Sequence, residues 1–319
     1  MRPRPYVTRS DRPTEIGAED TLGRGFQGAY RMTVPEVTVY VPTRNRADLL
    51  RDAIGSVLSQ TFSSIELIVV DDASTDETAA VLNELANQDT RVMTIRLPEK
   101  MGACAARNAA IEAARGYWCT GLDDDDIMLP NRIQSLVLAA KSASGHSLVC
   151  SGFFVEQRGR RRKVLCRDAN ITLDELLHRN VIGNQALFRR DQALAIGGFD
   201  VEMPASQDYD FWTRLVERFG PALRIGEPTY IFREHQHTTA RISNTAAALE
   251  GALRYTEKHR RLMSQRHLQT QRLVHAYVAG KPITLGLAAS SINAANVGFA
   301  LRYAAQRFPT LAAIRDRLT

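Results

Sequence analysis

Short apolar stretches recur along the first half of the 319-residue chain, and segments with helical spacing separate them. The apolar stretches are VTVYV (37–41), IELIVV (65–70), VMTIRL (92–97), YWCTGL (117–122) and SLVCSGFF (147–154). The helical segments are 46–59, 76–87, 103–115 and 131–143. Strands that are apolar throughout are typical of a parallel sheet whose two faces are both covered by helices. We therefore predict an α/β fold with a doubly wound, mostly parallel sheet and helices on both faces.

Composition and charge divide the chain into three parts. Residues 1–33 contain seven prolines and glycines without periodicity, which predicts a loose N-terminal arm. Residues 34–244 carry the strand and helix pattern and form the predicted main domain, with halves at 34–130 and 131–244. Residues 245–319 have eleven basic and three acidic residues, a net charge of +8, and predict a basic helical C-terminal extension.

The overall charge of +6 thus belongs mostly to the extension, because the main domain is slightly acidic. This distribution argues against a nucleic-acid-binding protein. The four cysteines form no C-x-x-C pair, and the N-terminus has no apolar core like that of a secretory signal. We therefore expect a cytoplasmic protein, with peripheral attachment to the inner face of the membrane as an open alternative.

Residues 282–301 are uncharged and, at 20 residues, long enough to span a bilayer. Asn293 and Asn296 disfavour a spanning helix, because amide groups are costly in hydrocarbon. An interfacial helix and an ordinary packed helix both remain open for this segment.

Carboxylates follow two of the predicted strands. Asp71 and Asp72 end one strand, and the run of four aspartates at 123–126 ends another. In open α/β sheets, ligands bind at the carboxyl ends of the strands. Adjacent carboxylates repel each other unless a cation neutralises them, and Mg²⁺ or Mn²⁺ binds carboxylates together with substrate phosphates. These positions favour a metal–diphosphate site, whereas the plainer alternative is a solvated acidic loop.

The glycine-rich loops that cradle phosphates are missing. The first strand is followed by VPTRNRADLL, which has no G-x-G-x-x-G, and the chain has no G-x-x-x-x-G-K-[ST]. A dinucleotide-binding fold is therefore disfavoured, and so is a nucleotidyltransferase with a glycine-rich, basic loop after the first strand.

Four ordered segments resemble family 2 glycosyltransferases, which have the GT-A fold. They are the opening from VTVYVPTRNRADLL to VVDDASTDET, then MGACAARNAAIEAARGYWCTGLDDDDIMLP, then GGFDVEMPASQDYDFWTRL, and finally FREHQH. The resemblance covers about residues 36–243. It implies that 34–130 is the nucleotide-sugar half of a catalytic domain and that 131–244 is the acceptor half.

The resemblance also implies roles for individual residues. Asp208 matches the catalytic base, in a motif where the family often has Glu and this chain has Gln207. Asp125 matches the metal ligand, with Asp123 and His235 beside it. The register within the four aspartates stays open by one residue, and His237 is an alternative to His235.

The donor-binding residues are expected to be Pro42, Thr43, Arg44, Asp72, Arg107, Asp123 and Asp124. The acceptor side is expected to include Asn184, Gln185, Asp210 and Trp212, although a buried pair for the two amides and a core position for Trp212 are alternatives.

The resulting expectation is an inverting, metal-dependent glycosyltransferase with Mn²⁺ or Mg²⁺ as cofactor. Its donor would be a nucleotide-diphosphate sugar, with UDP as the expected nucleotide, and its acceptor a saccharide or lipid-linked saccharide in surface polysaccharide assembly. A catalytically silent binding or scaffold protein on the same fold is the alternative. The basic run from Arg158 to Lys163 predicts contact with an anionic membrane surface, and a solvated turn is the alternative. The C-terminal extension also predicts contact with such a surface, and a homodimer contact is the alternative.

Overall fold

The computed structural model describes residues 6–7, 34–234 and 245–307. The rest of the predicted N-terminal arm lies outside these ranges, as do His235 and His237.

Eleven strands are present in the described residues. In chain order they are β1 (Tyr6–Val7), β2 (Val37–Thr43), β3 (Ile65–Asp71), β4 (Val92–Arg96), β5 (Trp118–Gly121), β6 (Ile127–Met128), β7 (Leu148–Gln157), β8 (Arg160–Val164), β9 (Ala169–Ile171), β10 (Leu187–Arg189) and β11 (Ala222–Arg233). All five apolar stretches named above are strands in the structure, and each strand begins within one residue of the expected position.

Eleven α-helices are described, together with one turn of 3₁₀-helix at Arg260–Leu262. They are α1 (Ala47–Leu58), α2 (Thr78–Gln88), α3 (Ala103–Ala113), α4 (Arg132–Ser142), α5 (Leu173–His178), α6 (Arg190–Ala195), α7 (Gln207–Phe219), α8 (Thr245–Lys258), α9 (Gln265–Val278), α10 (Leu285–Ser291) and α11 (Val297–Arg307). The four helical segments expected between the first strands correspond to α1–α4.

The strands form one sheet in the order β1-β4-β3-β2-β5-β10-β7-β11-β6, with β8 paired to β7 and β9 paired to β11. Strands β4, β3, β2 and β5 are parallel neighbours, as are β7 and β11. Strand β10 is antiparallel to both β5 and β7. The expected α/β fold with a mostly parallel sheet is confirmed.

This topology gathers several chain segments at one edge of the sheet. Thr43 pairs with Asp71 at the carboxyl ends of β2 and β3, and β5 ends beside them. Because β10 is antiparallel to β5, the loop that precedes β10 lies at this same edge. Two buried apolar clusters, one containing Ile68 and Trp212 and the other containing Val39 and Leu67, support the sheet.

The C-terminal extension packs against helix α7. The rings of Tyr255 in α8 and Tyr209 in α7 stack with centroids 3.7 Å apart. Gly251 lies directly on the backbone before α7, since a Cβ at this position would be 2.5 Å from the carbonyl oxygen of Ala205. The described part of the extension is helical, as expected. It is joined to the main domain by the buried contact between α8 and α7.

The uncharged segment 282–301 is divided between α10 and the first residues of α11. Neither these helices nor any other in the described ranges is long and apolar enough to cross a membrane. Ser291 and Asn296 are buried, whereas Leu285 and Leu301 are exposed. The segment thus combines a packed side with apolar side chains that face solvent.

Candidate active site

The loop after β2 begins the site. The Thr43 hydroxyl donates a hydrogen bond to Oδ2 of Asp124 at 2.7 Å, and Nε of Arg44 donates to the carbonyl oxygen of Asp72 at 3.1 Å. Arg46, which the sequence reasoning did not single out, lies 3.2 Å from the carboxylate of Asp125. The loops that follow β2, β3 and β5 are thus joined by side-chain contacts at the carboxyl edge.

Asp72 is nearly buried and fixes the turn before α3. Its carboxylate accepts the backbone N–H groups of Met101 at 2.6 Å and Gly102 at 2.9 Å. Gly102 has a φ of +89°, a left-handed conformation that glycine adopts without a steric penalty. Asp72 therefore lies at the expected edge, and its contact with a nucleoside stays a prediction.

Asp123 accepts hydrogen bonds from three side chains in two segments. Its carboxylate accepts hydrogen bonds from Arg107 at 3.2 Å, from Asn184 at 3.0 Å and from Gln185 at 3.1 Å. The amides of Asn184 and Gln185 therefore hold Asp123. Their N–H groups agree with the alternative of a hydrogen-bonded pair, and their contact with an acceptor stays a prediction.

The structure distinguishes the remaining members of the aspartate run. Asp126 is buried, and its carboxylate accepts the Tyr230 hydroxyl at 2.7 Å and the Arg233 N–H at 2.9 Å. The Asp125 side chain is 30% exposed. A metal-binding pair of Asp123 and Asp125 fits this arrangement better than Asp124 and Asp126, because Asp126 is enclosed by protein.

Burial perturbs the carboxyl groups of this run. It raises the pKa of Asp124 to about 7, with the charges of Asp125 and Asp123 acting in the same direction and the Thr43 hydrogen bond opposing them. Burial and the same neighbouring charges also raise the pKa of Asp126 well above its usual range. Burial thus favours the neutral form of Asp124 and Asp126, whereas Asp123 and Asp125 face the guanidinium groups of Arg107 and Arg46.

Asp208 lies in the first turn of α7. The residue before the helix, Ser206, has a left-handed φ of +59°. Oδ2 of Asp208 accepts a hydrogen bond from Nδ2 of Asn180 at 3.0 Å. Burial raises the pKa of Asp208; the charge of Arg107 opposes this shift, and the charge of Asp123 adds to it. The loop between α5 and β10 contacts both expected clusters, because Asn180 donates to Asp208 and Asn184 donates to Asp123.

Two expected acceptor residues point away from this site. The Asp210 side chain is fully buried and contacts Arg214, Lys258 and His259 at 2.8–2.9 Å. Trp212 is also fully buried, and its indole N–H donates to the carbonyl oxygen of Gly183 at 3.0 Å. The acceptor assignments for both residues are therefore wrong, because the packing leaves neither side chain a surface for a sugar.

The Asn108 side chain holds the backbone of Phe199 by two hydrogen bonds. Its side chain accepts the N–H of Phe199 at 2.7 Å and donates to the carbonyl oxygen of the same residue at 2.8 Å. Of these two neighbouring residues, Arg107 is the one whose side chain contacts the aspartate run in the described part of the chain.

The basic run from Arg158 to Lys163 forms a hairpin between β7 and β8, as expected. Arg158 and Gly159 make the turn with left-handed φ values of +50° and +73°. Arg161 pairs with Glu156 on the neighbouring strand at 2.5 Å. The other basic side chains of β8 are exposed, so the strand presents a positive surface to solvent.

A second cluster of titratable groups lies between α5 and α9, where Asp174, His178 and His267 come together. They border a cavity of about 490 Å³. Nδ1 of His267 accepts the N–H of Ser264 at 3.0 Å, and Nε2 faces the carbonyl oxygen of Asp174 at 3.1 Å. His267 therefore carries its proton on Nε2 and has no lone pair to offer there. The cluster is a hydrogen-bonded helix contact and does not fit a three-ligand metal site.

The family model "Glycosyl transferase family 2" matches residues 38–198, half of the chain. The chain belongs to glycosyl transferase family 2. WcaA of Escherichia coli (strain K12), whose name assigns it to colanic acid biosynthesis as a glycosyl transferase, is 32% identical over 71% of this chain and 82% of its own length. The succinoglycan biosynthesis protein ExoO of Rhizobium meliloti (strain 1021) is 35% identical over 61% of this chain and 53% of its own length.

Solved structures share the fold of this family member. S. aureus TarS (residues 1–349), in complex with UDP-GlcNAc, has a TM-score of 0.63 at 16% identity, over 84% of this chain and 79% of TarS. The mannosyltransferase PcManGT from Pyrobaculum calidifontis, in complex with GDP-Man and Mn²⁺, has a TM-score of 0.60 at 19% identity, over 88% of this chain and 82% of PcManGT. The expected family, the GT-A fold and the assignment as a glycosyltransferase are thereby confirmed.

Proposed function

We propose that this glycosyltransferase moves a sugar from a nucleotide-diphosphate donor, in the first instance a UDP-sugar, to a hydroxyl group of a saccharide or lipid-linked saccharide, with inversion. The relatives named for colanic acid and succinoglycan biosynthesis support a role in surface polysaccharide assembly. The observation that carries the proposal is that one loop hydrogen-bonds both Asp208, through Asn180, and Asp123, through Asn184, since a base and a diphosphate-binding cluster must serve one reacting centre.

The chemistry proposed for Asp208 is general-base catalysis. Its carboxylate takes the proton of the acceptor hydroxyl as that oxygen forms a bond to the anomeric carbon of the donor sugar. The bond from that carbon to the diphosphate breaks at the same time, and the electron pair leaves with the diphosphate. A base of this kind contributes about 10²–10⁴ to the rate, and the burial that raises the pKa of Asp208 suits the role.

The donor side is proposed to use Asp72 for the nucleoside and Asp124 for the ribose, with Pro42, Thr43 and Arg44 lining the pocket. Arg107 is proposed to approach the diphosphate, because its guanidinium is already held against Asp123. All of these residues lie at or beside the carboxyl edge of the sheet.

A divalent cation fits the donor set at this edge. Asp125 would hold it with Asp123, because carboxylate oxygens are the ligands that Mn²⁺ and Mg²⁺ prefer and both side chains are partly exposed. Such an ion would neutralise negative charge on the leaving diphosphate. The Mn²⁺ and GDP-Man complex of PcManGT supports this proposal. His235 remains a proposed third ligand.

We further propose that the extension and the basic β8 hairpin bring the enzyme to an anionic membrane surface in the cytoplasm. Leu285 and Leu301 are exposed, and no acidic residue occurs between His259 and Arg315. Homodimer formation through the same helices is the competing proposal, and sedimentation of the purified protein separates the two.

The direct test is a thermal-shift screen of the purified protein against UDP- and GDP-sugars, with and without Mn²⁺, followed by measurement of nucleotide release. A donor that stabilises the protein only with the metal, and whose turnover requires Asp208, supports the proposal. Stabilisation by no nucleotide sugar under either condition would contradict it.

A further inference from the structure

Asp208 receives its side-chain hydrogen bond from Asn180, a residue that no motif of the sequence singled out. Nδ2 of Asn180 lies 3.0 Å from Oδ2 of Asp208 and 3.2 Å from the carbonyl oxygen of Gly183. Oδ1 of Asn180 accepts the N–H groups of Ile182 and Gly183, each at 3.1 Å. Both hydrogens and both lone-pair positions of this amide are therefore used.

The backbone determines which way the amide faces. A backbone N–H can only donate, so the two donors at 182 and 183 require Oδ1 of Asn180 on their side. Nδ2 must then face Asp208. The turn at 180–183 thus orients a donor toward the carboxylate, whether or not a substrate is present.

Within the described ranges, this side-chain donor acts on the Asp208 carboxylate together with the backbone N–H of Tyr209. The charged groups facing Asp208 are Arg107 from α3 and Asp123 from the loop after β5, and they act on it in opposite directions. Among the side-chain hydrogen bonds described for the chain, the one from Asn180 is what fixes one oxygen of Asp208. A base must be held close to its productive geometry, since a misplacement of about 1 Å costs about 10²-fold in rate.

We propose that Asn180 is a positioning residue for the base: its N–H holds the carboxylate plane of Asp208 so that the carboxylate meets the acceptor hydroxyl. The inference rests on the proposed role of Asp208. It adds a residue from the acceptor half that acts through Asp208, without contact to the donor.

Two substitutions separate this role from a purely structural one. Asn180→Asp keeps an oxygen for the N–H groups of Ile182 and Gly183 but replaces the donor with a second carboxylate, whereas Asn180→Ala removes both functions. The matched control is Asn170→Asp, which adds the same charge at an exposed position where Oδ1 meets only His146 among the described contacts. Asp208→Asn serves as the reference for loss of the base.

The first measurement is UDP release from a UDP-sugar into water with Mn²⁺. Asn180→Asp and Asn180→Ala should both lower kcat about 10- to 100-fold and leave KM for the nucleotide sugar within about twofold, while Asn170→Asp behaves as wild type. Normal kcat in Asn180→Asp, with its turn intact, would overturn the inference.

The second measurement does not need turnover. The ¹³C resonance of the Asp208 carboxyl group, identified by its loss in Asp208→Asn, is titrated in wild type and in Asn180→Ala. Loss of a donor to the ionised form should move the titration to higher pH. An unchanged titration would overturn the inference even if Asp208→Asn abolishes turnover. Wild-type turnover in Asp208→Asn would instead refute the base assignment itself, and the role of Asn180 with it.

Discussion

Replacing Asp210 with Asn should destabilise the protein strongly, although Asp210 lies only two residues beyond the proposed base. The carboxylate is fully buried and is bound by Nε of Arg214 at 2.9 Å, Nζ of Lys258 at 2.8 Å and Nε2 of His259 at 2.9 Å. Lys258 and His259 belong to the C-terminal end of α8, so these contacts join the extension to α7.

The magnitude follows from burial. Removing one partner of a buried ion pair typically costs about 3–5 kcal/mol, because the remaining charges stay desolvated. The Lys258 side chain is 33% exposed and can turn toward water. The expected loss of unfolding free energy is therefore about 3 kcal/mol, at the lower end of this range. For a chain of this size, each kcal/mol shifts Tm by about 2–4 °C, so Asp210→Asn should lower Tm by roughly 6–12 °C.

The matched control is Asp200→Asn. Asp200 also pairs with Lys258, at 2.6 Å, but its side chain is 28% exposed, and surface pairs contribute at most about 1 kcal/mol. Thermal unfolding of both variants is followed by circular dichroism at pH 7. If the Tm values of Asp210→Asn and Asp200→Asn differ by less than about 2 °C, the reasoning is refuted.

The pH dependence gives an independent check. Burial alone would raise the pKa of Asp210, but the His259 hydrogen bond and the charges of Arg214 and Lys258 outweigh it and hold the pKa well below its usual range. A group with a depressed folded-state pKa stabilises the protein above its unfolded pKa of about 4, and this contribution is lost as the pH falls toward the folded value. The Tm difference between wild type and Asp210→Asn should thus be constant from about pH 7 to 5 and shrink below about pH 4. A difference that persists undiminished at lower pH would contradict the ionised state of Asp210.

Three further predictions concern the site and the surface. Asp208→Asn should retain nucleotide-sugar binding in a thermal-shift assay and lose about 10²–10⁴ in transfer rate; wild-type transfer would show that the base is another residue. Asp125→Ala should weaken UDP binding by calorimetry in the presence of Mn²⁺ and have little effect without the metal, whereas equal affinities in both proteins would move the metal site elsewhere. Replacing Arg160 and Arg162 with Gln should reduce sedimentation with vesicles that contain anionic lipid and leave Tm unchanged, and full sedimentation of the variant would remove β8 from the membrane proposal.

The sequence predicts the structure of residues 34–130 more completely than that of residues 131–244. Strands β2 to β5 are apolar throughout or nearly so, so their positions follow from local composition. Strand β10 has three residues, and β11 contains Pro228 at a register shift, so neither gives a clear periodic signal. The same difference applies to the site: the aspartate run directly follows a recognisable strand, whereas Asn180 stands in a loop with no pattern.

Motif resemblance identifies positions but does not determine which way a side chain faces. Asp208 and Asp210 lie in the same short motif, and one turns toward the aspartate run while the other turns toward Lys258 and His259 of the extension. The extension lies outside the motif resemblance, so these partners could not be predicted from the motifs.

The order of residues by itself determined the alternation of strands and helices, the family, and the presence of aspartates where strands end, because these properties depend on neighbours a few positions apart. Only the folded chain decided which carboxylates lie in the site, which are buried in ion pairs, and that Asn180 contacts Asp208. Those outcomes depend on packing between segments far apart in the chain, where each contact forms only if the surrounding elements are already in place.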